Sequence, residues 1–179
     1  MRLVLYLAFA IILLVLWYRA EHQSQPVSDA THEIQSTTVF IPDAQTKYSG
    51  CTVHDANPDH ACTPGAVFSS ATKEDICTSG YSKSVRDVPV MEKKAVYEEY
   101  GISHRTPGKY EVDHFISLEL GGSNTVANLW PEAATPQPGF HEKDKVENYL
   151  HQQVCSGAMT LGEAQRKIAT NWYAVYLIL

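Results

Sequence analysis

The sequence predicts an α+β domain. Two short strands and a helix form its centre, further helices flank it, disulfides staple it, and a hydrophobic helix precedes it. Three observations carry this prediction. Tyr110–His114 and Asn128–Trp130 are strand-like runs joined through Gly121-Gly122-Ser123-Asn124. Val146, Leu150 and Val154 recur at helical spacing within residues 141–154, with Tyr149 beside them. Four cysteines, an even number, suit two disulfides in an oxidising compartment.

Taken in order, Leu3–Tyr18 runs 16 residues without a charge, between Arg2 and Arg19. As a helix it would reach about 24 Å, between a signal-peptide core and a full membrane span. Cleavage after Ala20 would put Tyr18 where a small side chain is wanted, whereas Trp17 and Tyr18 fit interfacial anchors. Residues 1–20 therefore read as a signal anchor, with a cleaved signal peptide as the alternative. The rest is expected on the periplasmic or extracellular side of a membrane, or secreted.

Residues 21–60, rich in Gln, Ser, Thr, His, Asp and Pro, read as a polar tether, and 61–179 as the domain. From Cys62 to Tyr81 the texture suggests short strands and turns. Val88–Gly101 reads as a helix with Pro89 in its first turn and Gly101 just past its end. After Pro136, Pro138 and Gly139 comes the 141–154 helix. Thr160 and Glu163 stand in capping-box spacing before a last helix to about Tyr173, whose inner face carries Leu161, Ala164, Ile168 and Trp172.

With 44% hydrophobic and 19% charged residues, a chain of 179 residues can bury a core. Its net charge of −6 excludes the broad basic surface of a sequence-blind nucleic-acid binder. Residues 81–150 carry 8 Lys and Arg against 11 Asp and Glu, so any polyanion bound there needs local cations or a metal.

The chemistry concentrates in YEVDHFISLELGGSNTVANLWPE, residues 110–132. Asp113 offers a hard oxygen ligand and His114 a base whose ordinary pKa lies near neutrality, the pairing that metal-assisted hydrolysis needs. Neighbours in a strand point to opposite faces, so both serve one site only where the strand ends and turns. Asn128, 14 residues after His114, can brace the loop or hold the imidazole in one tautomer. The start of the 141–154 helix offers a further ligand or a phosphate contact.

These residues resemble the HNH endonucleases, the ββα-metal nuclease fold, and in particular exported bacterial members with an Asp-His…Gly-Gly…Asn-Leu-Trp-Pro-Glu run. The resemblance spans roughly Cys62 to Tyr176. It includes Ile76-Cys77, Gly80-Tyr81, Ser84-Val85-Arg86, Lys143-Asp144 with Glu147, Val154-Cys155-Ser156-Gly157 and Asn171-Trp172. It implies a ββα-metal core and an endonuclease cutting nucleic acid, DNA before RNA. His114 would be the general base, Asp113 a ligand of one divalent ion, and Asn128 the mainly structural Asn. The ion would be Mg²⁺ first, with Mn²⁺, Zn²⁺ or Ni²⁺ as alternatives. The third motif position departs from the pattern. His141, 13 residues after Asn128, leads as metal ligand, Asp144 rivals it, Lys143 would touch phosphate and Arg86 would clamp it. An inhibitor protein as partner is left open.

Each residue also has a plainer reading. Asp113-His114 alone is an ordinary surface pair, Asn128 a turn residue, His141 a first-turn helix residue, and Arg86 an ion-pair partner. The domain as a whole could be a disulfide-stapled envelope module that binds or scaffolds without catalysis. Cys51-x2-His54-x5-His60-x-Cys62 contains a Cys2His2 set, but its spacing suits a Cys51–Cys62 disulfide better than a zinc site. Cys77–Cys155 is then the remaining pair, although four cysteines allow three connectivities.

Overall fold

The computed structural model describes residues 39–104 and 106–179, which belong to one compact unit, Thr37–Leu179. The expected hydrophobic helix at 1–20, the first part of the tether and Arg105 lie outside the described residues. Among the described residues no helix is long and apolar enough to cross a membrane.

The fold is mixed α+β, with a two-stranded sheet and two disulfides. Helices α1 (Lys73–Ile76), α2 (Tyr81–Val85) and α3 (Val90–Glu99) precede strand β1 (Tyr110–His114). Single 3-10 turns at Leu118–Leu120 and Val126–Asn128 lead into β2 (Leu129–Ala133), followed by α4 (Phe140–Ser156) and α5 (Leu161–Tyr176). The strands pair antiparallel, with Asp113 opposite Trp130 and His114 opposite Leu129. The second strand begins one residue later than expected and runs three further, because Asn128 spends its side chain on the loop before it.

Short helices replace the strands expected between Cys62 and Tyr81. Thr72 accepts from the Asp75 amide while the Asp75 carboxylate takes the Thr72 amide, a capping box that starts α1. Pro89 sits at the N-cap of α3, and Gly101, left-handed at φ 66°, follows its C-cap. Thr160 and Glu163 form the expected reciprocal cap of α5.

The core joins the hairpin to α4 and α5. Val146, Leu150 and Val154 are fully buried, as are Ala164, Ile168 and Trp172, against Phe115, Ile116, Leu120 and Trp130. Residues 39–60 pack with this unit. Lys47 pairs with Asp59 at 2.8 Å, the Cys51 amide donates to the Glu99 carbonyl, and the Trp172 indole donates to the Ala56 carbonyl. Disulfide Cys51–Cys62 closes an 11-residue separation there, and Cys77–Cys155 ties the end of α1 to the end of α4.

Candidate active site

The site grows from the loop between the strands. Asn128 is fully buried and every polar atom of its carboxamide is engaged. Its Oδ1 accepts from the amides of Ile116 and Ala66, and its Nδ2 donates to the carbonyls of Ile116 and Ser123. Gly122 lies so close to this crossing that a Cβ there would collide with the Ile116 carbonyl oxygen. Asn128 thus closes the loop, and none of these four hydrogen bonds goes to His114.

A closed loop means β1 ends abruptly at His114, and the chain turns. Asp113 and His114 consequently line one cavity of about 170 Å³ with Arg86, Glu119, Asp144 and Glu147. Arg86 caps the C-terminus of α2 and is exposed; among the described residues no carboxylate pairs with it. Asp144 and Glu147 project from α4, one turn apart.

The imidazole of His114 is held by Asn124, a residue the sequence reading passed over. Asn124 Nδ2 donates to the Val85 carbonyl at 2.7 Å, which turns its Oδ1 toward His114 Nε2 at 3.0 Å. An amide oxygen only accepts, so Nε2 carries the proton and Nδ1 keeps its lone pair. Nδ1 is buried with no hydrogen-bond partner, as are Ser117 Oγ and Glu119 Oε2 of two other residues that line the cavity. Burial pushes the His114 pKa below the ordinary imidazole value, and Arg86 and Lys143 add to that against Asn124 and Asp113. A neutral, oriented base results. No periodicity marks Asn124 in sequence, because only the loop's path brings it to the ring.

Lys143, expected to touch phosphate, is instead fully buried beneath the site. Its ammonium meets Asp113 Oδ2 at 2.6 Å, the His114 carbonyl at 2.7 Å and Glu147 Oε1, with Glu132 Oε2 at 3.9 Å. Burial raises the Asp113 carboxyl, but the Lys143 charge and hydrogen bond outweigh it and hold the group below its ordinary pKa. Glu147 goes the other way, pushed up to about 8 by burial and by Asp113. Glu132 is raised well above the usual range by burial and by the neighbouring Asp113, and both its carboxyl oxygens are buried without a hydrogen-bond partner. One ammonium thus faces three carboxyls, and protons make up the difference.

His141, the leading third ligand by sequence, is exposed at the first turn of α4, edge-on to Phe140, and does not line the cavity. Asp144 does. Burial and the nearby Asp113 raise its carboxyl. Crowded carboxylates with raised pKa values are the oxygen-donor chemistry of a hard divalent cation. Among the described residues, however, only Cys77, His151 and Cys155 bring three such ligand atoms within 4.8 Å of one another. The cavity's oxygens stand further apart.

A larger groove of about 960 Å³ runs along β2 between Tyr100, Tyr110, Trp130, Tyr173 and Leu177. Its lining is mostly apolar and includes neither Asp113 nor His114, so size and chemistry part company here. Compared with family models, curated proteins and solved structures, the chain matches none.

Proposed function

We propose that this chain is a metal-dependent endonuclease of the HNH type, hydrolysing phosphodiester bonds of nucleic acid, DNA before RNA. The observation that carries the reading is His114: buried, neutral, its Nε2 proton committed to Asn124 and its Nδ1 without a partner, on a residue that lines a carboxylate-rich cavity. The order β1, loop, β2, α4, with Asp-His at the end of the first strand, is that of a ββα unit and supports the HNH core.

In this reading His114 Nδ1 takes the proton of the attacking water, a step typically worth about 10²–10⁴-fold. Arg86, exposed and without a carboxylate partner, steadies the scissile phosphate. Asp113 and Asp144 would hold the divalent ion, which when bound supplies charge for the leaving oxygen. Lys143 contributes by fixing Asp113 and the His114 backbone rather than by touching substrate. The two disulfides fit an exported protein.

One observation favours the second reading, a non-catalytic envelope binding or scaffold module. Asp113 Oδ2 is already taken by the Lys143 ammonium at 2.6 Å. Incubating supercoiled plasmid with the chain and Mg²⁺ or Mn²⁺ separates the two. The enzyme reading expects nicking that EDTA abolishes and that His114→Ala loses. No metal-dependent nicking, or equal nicking by the variant, would overturn the enzyme reading.

A further inference from the structure

The last turn of α4 places His151 and Cys155 four residues apart, on one helix face. Cys77 reaches the same point from α1, whose final residue, Ile76, is buried in the core. His151 Nε2 lies 3.0 Å from the Ile76 carbonyl and 3.4 Å from Cys155 Sγ. The helical spacing on one side, and the Ile76 anchor and His151 contact on the other, hold the three residues together besides the disulfide. Their ligand atoms all lie within 4.8 Å of one another.

While Cys77 and Cys155 are bonded, their sulfurs are poor ligands. Reduction changes the donor set to two thiols and an imidazole. We propose that reduction of Cys77–Cys155 opens a Cys2His site for a borderline-soft divalent cation of the Zn²⁺ class. A dithiol supplies two electrons and two protons: its thiolate attacks one sulfur and expels the other cysteine, and its second thiolate then releases the attacked cysteine from the mixed disulfide as the dithiol becomes a disulfide. The cation then displaces both thiol protons. His151 keeps one ring proton, which moves from Nε2 to Nδ1 as the lone pair turns to the metal.

The geometry suits this exchange. Zn–S bonds near 2.3 Å in a tetrahedron place two sulfurs about 3.8 Å apart. The anchoring Cα atoms stand 5.7 Å apart, so the side chains can open without moving the helices far. Cys77 is exposed while His151 and Cys155 are half-buried, which leaves an entry route and a fourth position for water. The C-terminal end of α4 also favours a cation. The set suggested by sequence around Cys51 and Cys62 does not assemble: His54 turns to the Thr52 hydroxyl and His60 lies edge-on to Phe115. The metal would hold α1 to α4 when the covalent link is absent.

The test needs no nucleic acid and stands apart from the nuclease reading. The full chain, carrying Cys51→Ser and Cys62→Ser, is reduced with a phosphine, desalted without oxygen and titrated with Zn²⁺ or Co²⁺ alone against a chromophoric chelator. One equivalent should bind after reduction and none before, with a thiolate-to-cobalt band in the Co²⁺ spectrum. His151→Ala should weaken binding more than about 100-fold, beyond what loss of an outer partner costs. No uptake by the reduced chain, or unchanged affinity in His151→Ala, overturns the site. Should the serine variants fail to fold, alkylation of the reduced wild-type chain decides. Zinc must protect Cys77 and Cys155, and protection confined to Cys51 and Cys62 overturns the proposal.

Discussion

The loop closed by Asn128 and the cavity beside it are made from similar residues, yet their polar atoms end in opposite states. Around Asn128 both ends of a buried carboxamide are used, on two amides and two carbonyls. A few residues away, His114 Nδ1, Ser117 Oγ and Glu119 Oε2 are buried without partners, and three carboxyls crowd one ammonium. Buried polar groups are ordinarily satisfied, so these unpartnered atoms need a reason that the Asn128 bonds do not. In the proposed reading the Asn128 loop serves folding and the cavity serves chemistry.

That contrast can be broken in graded ways. Lys143→Met leaves Asp113, Glu132 and Glu147 without their cation and should cost about 3–5 kcal/mol, read by urea unfolding at pH 8. A loss below about 1 kcal/mol would mean the ammonium does not hold the cavity floor. Asn128→Ala should cost about 3 kcal/mol by stranding backbone groups of Ala66, Ile116 and Ser123. Asn124→Ala should reverse that pattern. Stability falls by about 1 kcal/mol or less, while plasmid nicking drops about 10-fold or more as His114 loses its fixed tautomer. Equal stability losses at the two asparagines would erase the distinction.

pH supplies a further set of effects, and their signs differ by group. The folded pKa of Glu147, about 8, lies above the unfolded carboxyl value near 4.5. Its contribution to stability is therefore complete below 4.5 and is lost as pH rises through about 8. Melting temperature should sag over that interval, and Glu147→Gln should flatten the sag. His114 has a lowered folded pKa, so its contribution is present above the ordinary imidazole value and is lost as pH falls through the folded one. The acid limb of nicking should accordingly lie below pH 6.5, the ordinary imidazole value.

The sequence exposed the frame better than the site. Helical spacing found Val146, Leu150 and Val154, Thr160 and Glu163 announced their cap, and both disulfides followed from the cysteines in the order drawn. Each of these is a local or periodic signal. The Thr72–Asp75 box at α1 is equally local, but it stands among turn-like residues that mask it. Asn124 and the buried Lys143 could not be read in this way. Their roles depend on where a loop and a helix face meet, 10 residues from His114 in one case and 30 from Asp113 in the other. His141 shows the converse: a ligand-type residue at the start of the site helix, but an exposed position off the cavity.

The claim on which the rest depends is that His114 waits as a neutral base with Nδ1 free. Ring-nitrogen chemical shifts of ¹⁵N-labelled His114 at neutral pH test it directly. The account predicts a protonated Nε2 and a bare Nδ1, with the preference lost in Asn124→Ala. A charged imidazole, or a proton on Nδ1, would contradict it.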